Sequence, residues 1–163
     1  GLAAVKGLAE ALAKPVAAVS NLQAIATFGV APLRAVVLDA RRGQVYAAVY
    51  REDLTLYRPE VVTSFRQWLR QLPHEDLEFV SPDFAPFQMA LTGTPWAAAP
   101  VRQAPRALAA AVARIAALRW RRGELENPMV ADANYVRLAD AELQWKDLKG
   151  GPSGKPPRPN SVY

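Results

Sequence analysis

The sequence predicts an α/β fold in which a mixed β-sheet lies between helices. Two apolar runs, Ala35-Val36-Val37-Leu38 and Val45-Tyr46-Ala47-Ala48-Val49-Tyr50, flank the charged turn Asp39-Ala40-Arg41-Arg42-Gly43-Gln44, which is the pattern of a β-hairpin. In the second run Val45, Ala47 and Val49 share one face and Tyr46, Ala48 and Tyr50 the other. Neither face is polar, so this strand is expected to be covered on both sides. From there to Gly123 strand-like and helix-like segments alternate, which sets helices against both faces of the sheet.

The chain opens on Gly1–Leu12, helical by spacing, with Leu2, Val5, Leu8 or Ala9, and Leu12 on one stripe. No Ser, Thr, Asp or Asn caps that helix. It starts in mid-stride, and the sequence is read as a fragment whose natural chain extends further upstream. Ala3, Gly7 and Ala11 recur at i, i+4 and i+8. Such a ridge of small residues lets another backbone come close, either on the helix's own sheet or in a contact with another subunit. Pro15–Ser20 reads as a short buried strand, and Ser20-Asn21 can cap a helix from Leu22 to Phe28 that Gly29 ends. Residues 1–31 are therefore expected to be a helix–strand–helix remnant of a first α/β lobe.

Residues 32–148 carry a complete pattern. Leu33–Leu38 and Val45–Tyr50 form the hairpin, and Leu56–Thr63 is a third strand interrupted at Pro59, which favours a sheet edge or a break there. Ser64 caps a helix through Phe65, Trp68 and Leu69 that closes at Pro73, and Leu77–Val80 is a fourth strand. Asp83–Pro86 opens a short helix through Phe87, Met89 and Leu91, stopped at Gly93, and Pro95–Val101 is a fifth strand. Pro105 starts the longest helix, with Leu108, Val112, Ile115 and Leu118 facing inward and Gly123 ending it. The order βββαβαβα, a mixed sheet between helices, is that of the ribonuclease-H-like fold, which is also the building block of the actin-like ATPases. Tyr135, Val136 and Leu138 are expected to dock back onto the body. Residues 149–163, rich in Pro and Gly, are expected to form a disordered tail.

Composition limits the chemistry. The chain has 163 residues, 51% of them hydrophobic and 21% charged, as in a globular protein. It has no Cys and no apolar run long enough to span a bilayer, so a cytoplasmic location without membrane attachment is expected. His74 is the one histidine, expected to face solvent. One His without Cys makes neither an HExxH zinc site nor a zinc finger, and there is no GxSxG elbow or GxxxxGK[ST] loop. No metal, cofactor or catalytic residue is assigned. Asp39, at the end of its strand, is the best-placed carboxylate. Its neighbours Ala40-Arg41-Arg42-Gly43 do not offer the small residues that let backbone N–H groups cradle a phosphate, and the two guanidiniums suit a carboxylate on another protein equally well. The net charge of +5 permits an acidic partner such as RNA.

Three stretches resemble the TsaB (YeaZ) family, the dimerisation subunit of the bacterial machinery that places threonylcarbamoyl on tRNA adenosine. They are Lys6-Gly7-Leu8-Ala9-Glu10-Ala11 followed by Pro15–Ser20; Asp39-Ala40-Arg41-Arg42-Gly43-Gln44-Val45-Tyr46; and Tyr135-Val136-Arg137 with Asp140-Ala141-Glu142. The hairpin Asp39, Arg41, Arg42, Gly43 and Tyr46 carries the most specific part of the match. Two departures stand out: the family's opening Asp-bearing strand is absent, and Leu138-Ala139 stands where relatives tend to carry Arg-Ser. The resemblance implies a non-catalytic scaffold that dimerises with a TsaD-type catalytic subunit, joined by a TsaE-type ATPase, and meets tRNA only through that complex. It also implies that Leu2, Ala3, Lys6 and Gly7 lie on the partner-binding helix. Two other readings compete with it. One is a fragment of an actin-like ATPase or sugar-kinase-type enzyme using Asp39. The other is a basic RNA-binding module resting on Arg114, Arg119, Arg121 and Arg122. Self-association, such as a swapped homodimer, is also expected if Pro15–Val19 leaves a strand edge bare.

Overall fold

The computed structural model describes residues 1–129. Five strands form one mixed sheet in the order β3-β2-β1-β4-β5, built from β1 (Leu33–Arg41), β2 (Gln44–Arg51), β3 (Leu56–Ser64), β4 (Leu77–Ser81) and β5 (Val101–Gln103). β1 pairs antiparallel with β2, and β2 with β3, whereas β1–β4 and β4–β5 are parallel. The helices are α1 (Leu2–Ala11), α2 (Asn21–Ala26), α3 (Phe65–Leu69), α4 (Ala85–Leu91) and α5 (Ala109–Arg121). The expected order βββαβαβα, a ribonuclease-H-like arrangement, is therefore present from β1 to α5.

Period-two alternation distributes the strand residues between two cores. Leu33, Ala35 and Val37 of β1, Val45, Ala47 and Val49 of β2, and Phe79 of β4 pack with Phe65, Trp68 and Leu69 of α3 and Phe87 and Leu91 of α4. Val36, Ala48, Tyr50 and Val80 point the other way, onto Leu22, Ile25 and Ala26 of α2. Ala24 of α2 then packs on Ala111 and Ile115 of α5. Strand β2 is thus covered on both faces, as its apolar sequence requires. Pro59 lies in β3, at the sheet edge, where the β2–β3 register shifts between Ala47 and Val49. The two expected caps form: Ser20 Oγ accepts from the Leu22 N–H at 3.1 Å, and Ser64 Oγ from the Gln67 N–H at 3.3 Å.

Three expectations are corrected. Pro15–Ser20 is not a strand: it makes one isolated bridge, Val16 to Glu126, because no sheet strand runs beside it among the described residues. The fifth strand is not Pro95–Val101 but Val101–Gln103. Trp96 turns into the core and donates its indole N–H to the Leu69 carbonyl at 3.3 Å, and 94–99 wind into turns, so pairing with β4 begins only at the Pro100 carbonyl, which accepts the Phe79 N–H at 2.8 Å. The last helix starts at Ala109, not Pro105, and Leu118 is 47% exposed. Ile115 is buried and Leu108 and Val112 pack beside it, as expected, but the stripe continues through Ala111 and Arg119 rather than Leu118, and the Arg119 guanidinium donates to the Ala18 carbonyl and, at 2.9 Å, to Gln23 Oε1. The segment around Tyr135, the Tyr135–Arg137 and Asp140–Glu142 matches, the boundary at 148 and the tail from 149 lie outside the described residues.

The loop between α2 and β1 is pinned by buried charge. Glu78 on β4 accepts the Val30 N–H and, at 2.7 Å, the Ala31 N–H on Oε1, and the Arg102 guanidinium at 2.9 Å on Oε2. Arg34, its register partner on β1, donates to the Ala31 and Ala26 carbonyls at 3.3 and 3.2 Å. Gly29 fits against these side chains because it has no Cβ, which would lie 2.7 Å from Arg34 Cδ and 2.8 Å from Glu78 Oε1. Gly29→Ala should therefore cost about 1–3 kcal/mol through overpacking of a buried site, read as a lowered urea midpoint; an unchanged midpoint would show that the loop yields freely.

A second polar cluster ties α2 to the sheet edge. Tyr50 donates its hydroxyl to Glu60 Oε1 at 2.6 Å, and the Ser20 hydroxyl donates to the same oxygen. Burial first, and then the bond to Glu60, push the Tyr50 phenol well above the usual tyrosine range, so it stays a neutral donor at any ordinary pH.

Candidate functional site

Two surfaces hold the residues singled out from the sequence. The first is the tip of the β1–β2 hairpin. Register pairs Arg41 with Gln44 across a two-residue loop, Arg42-Gly43, with φ of +54° and +72°. These are the left-handed angles of a type I′ turn, whose sense matches the twist of the flanking strands. Asn-Gly is the usual solution; here an arginine occupies the first position. Arg41 is left-handed as well, at +63°, and the register shifts between Asp39 and Arg41, so Ala40 forms a bulge. Holding two non-glycine residues in that region costs about 1 kcal/mol or more each. Asp39 contributes to holding it: its Oδ1 accepts the Arg41 N–H at 2.7 Å.

The tip overhangs a groove of about 570 Å³. Asp39, Arg41, Arg42 and Gly43 line one side, Ser64 and Arg66 at the start of α3 the other, and Phe65 with Pro86, Phe87 and Ala90 of α4 the apolar floor between them. Three guanidiniums, Arg41, Arg42 and Arg66, are exposed around an apolar floor. The fold thus gathers Asp39, Arg41, Arg42 and Gly43 at one place. Tyr46 is not with them: it lies on the opposite face of the sheet, against the α2 side. Arg66, Phe65 and Phe87 were missed by the sequence reading. Only the packing of α3 and α4 beside β1 brings them there, and a lone Arg after a helix cap gives no signal of its own.

The second surface is α1. Its one buried residue is Ala9, and Lys6 on the same side donates its ammonium to the Met129 carbonyl at 3.3 Å. Val5, Leu8 and Leu12 are 54%, 63% and 59% exposed. Ala3, Gly7 and Ala11 lie across the helix from Ala9, all exposed, and a Cβ at Gly7 would meet nothing within 4 Å. The small-residue ridge therefore does not pack on the described sheet. Of the transferred contact candidates, Ala3 and Gly7 face away from Ala9, Leu2 is 39% exposed on the same side of the helix as Ala9, and Lys6 is half-buried.

The remaining candidates take ordinary roles. His74 is exposed and stacks on Trp96 with ring centroids 5.5 Å apart. Among the described residues no group of His, Cys, Asp and Glu is arranged to hold a metal, and no helix is long and apolar enough to cross a membrane. Arg119, one of four arginines on α5 or its end, is engaged within the fold.

Comparison with solved structures places the fold. An uncharacterized Pseudomonas aeruginosa protein described as similar to the peptidase YeaZ superposes with a TM-score of 0.64 at 24% identity, over 83% of this chain and 65% of that one. YeaZ from Pseudomonas aeruginosa itself gives 0.63 at 25% identity, over 79% of this chain and 62% of its own length. The chain thus spans somewhat under two thirds of the YeaZ structures it matches. No curated protein matches it significantly by sequence. A family model, TsaD, described as tRNA N6-adenosine threonylcarbamoyltransferase, matches residues 1–145. With that match over most of its length, the chain belongs to the TsaD family related to tRNA threonylcarbamoyl modification, and its structural likeness is to the YeaZ (TsaB) members.

Proposed function

We propose that the protein is a scaffold of the bacterial tRNA threonylcarbamoyladenosine machinery, with no chemistry of its own, which binds a TsaD-type catalytic subunit through α1. The observation that carries this reading is the surface of that helix. Leu8 and Leu12 stand in solvent beside an open Ala3-Gly7-Ala11 ridge, and a ridge of small residues suits close approach of a second helix. Apolar side chains left bare along a helix face are an interaction surface rather than an ordinary solvated one. A TsaE-type ATPase would join the pair, tRNA would be met through the assembled complex, and the site of action would be the cytoplasm.

The test is assembly. Mixing the full chain with a TsaD-type subunit of the same organism should give a one-to-one complex in light scattering. Gly7→Arg, which fills the ridge where nothing now stands, should weaken that complex by at least about 100-fold, on the scale of a central interface residue, while leaving the melting temperature of the isolated chain unchanged. Failure to form a complex, or a Gly7→Arg variant that assembles normally, would remove the proposal. Formation of a homodimer through the same helix would replace it.

A further inference from the structure

The groove beneath the hairpin tip is separate from α1 and calls for its own explanation. We propose that it is a docking site for a short acidic peptide segment of a partner protein, anchored by one aliphatic or aromatic side chain. Charge complementarity supports this occupant. Three guanidiniums, Arg41, Arg42 and Arg66, line the rim against a single carboxylate, Asp39, among the described lining residues, so the groove carries a net positive charge. Guanidiniums bind carboxylates in a bidentate fashion, so carboxylates spaced along an extended segment fit a rim carrying them on two walls.

The floor decides between a peptide and a nucleic acid. Pro86, Phe87 and Ala90 with Phe65 make it apolar, suiting an anchor side chain rather than a phosphodiester. Phe65 and Phe87 are only 5% and 7% exposed, packed ring to ring with centroids 4.9 Å apart. Buried to that degree, neither ring offers the open aromatic face on which a base stacks. The backbone supports a functional reading of the tip. Arg41 and Arg42 occupy left-handed positions where Gly or Asn would be less strained, and strain of this kind tends to be kept where side chains have work to do.

The experiment is a selection of a random dodecapeptide display library on the immobilised full chain, followed by fluorescence polarisation of the enriched peptide. Enrichment of Asp and Glu around a Leu, Ile or Phe anchor is expected. Binding should fall about tenfold or more in Arg41→Gly and in Arg66→Ala, the scale of one close charge pair, and should weaken as salt rises. Arg41→Gly removes the guanidinium while supplying the residue that its φ favours, so its melting temperature should hold or rise. Lost binding with an intact melting temperature separates a lost site from a lost fold. The proposal is overturned if no acidic sequence is enriched, if both variants bind as before, or if a single-stranded oligouridylate binds more tightly than any selected peptide and is lost in the same variants.

Discussion

Glu78→Ala is expected to destabilise the protein by about 3–5 kcal/mol, the range for removing one partner of a buried charged network. Glu78 is 1% exposed, and its two oxygens have divided duties. Oε1 takes the Val30 and Ala31 N–H groups and Oε2 takes Arg102. Alanine would leave those backbone donors without their acceptor and open a void beside Arg34. Glu78→Gln keeps an oxygen for the loop and turns an amide toward Arg102, which is 42% exposed and can turn to water; it should cost less, about 1–3 kcal/mol. The same carboxylate makes stability depend on acid. Burial pushes its pKa up, but the Ala31 and Val30 N–H groups and Arg102 outweigh burial and hold it below the ordinary value of 4.5. A carboxyl whose folded pKa lies below its unfolded one contributes fully above the unfolded value and loses that contribution as pH falls through the folded one. Wild-type urea midpoints should therefore be insensitive to this group at pH 7 and should decline below pH 4.5; Glu78→Gln should lack that part of the decline. Equal acid sensitivity in both proteins would contradict the assignment.

Phe79→Ala should cost a similar amount, about 3–5 kcal/mol, for a different reason. Phe79 is fully buried on the interior strand β4, with ring centroids 6.3 Å from Phe65, 6.5 Å from Trp68 and 5.2 Å from Phe84. Three aromatic neighbours on α3 and before α4 cannot all collapse into the space a truncated ring leaves, so a cavity persists. Phe79→Leu fills much of it and should cost well under half as much. For a chain of this length the alanine variant should melt on the order of 10 °C lower. A drop of only a degree or two would mean that the α3–α4 layer relaxes onto β4. Because that layer also floors the hairpin groove through Phe65 and Phe87, the alanine variant should lose peptide docking together with its stability.

The strands, the covered hairpin and the alternation with helices were legible because period-two and period-3.6 patterns are local. Val45 to Tyr50 is apolar on both faces and is buried on both faces; Pro59 marked an edge and lies on one. Both caps at Ser20 and Ser64 were readable for the same reason. The misreadings also have a common cause. Pro15–Ser20 has a strand's composition, but a strand exists only beside a partner, and the described fold offers that segment one bridge to Glu126. Leu118 has an inward spacing, yet α5 is rotated so that Ala111 and Ile115 face α2.

The sites divide in the same way. Composition and local order were enough to indicate the element sequence and that the given residues hold no thiol, and the resemblance of three short stretches pointed to the family that the match over residues 1–145 supports. Tertiary packing alone revealed that Arg66 meets Arg41 and Arg42 across an apolar floor, that Tyr46 faces away from them, and that the α1 ridge is open rather than packed. Those facts depend on residues distant along the chain meeting in space and on which way a helix turns once it is packed. Hydrophobic spacing says that a side chain belongs on a face; only the packed molecule says what, if anything, stands opposite it.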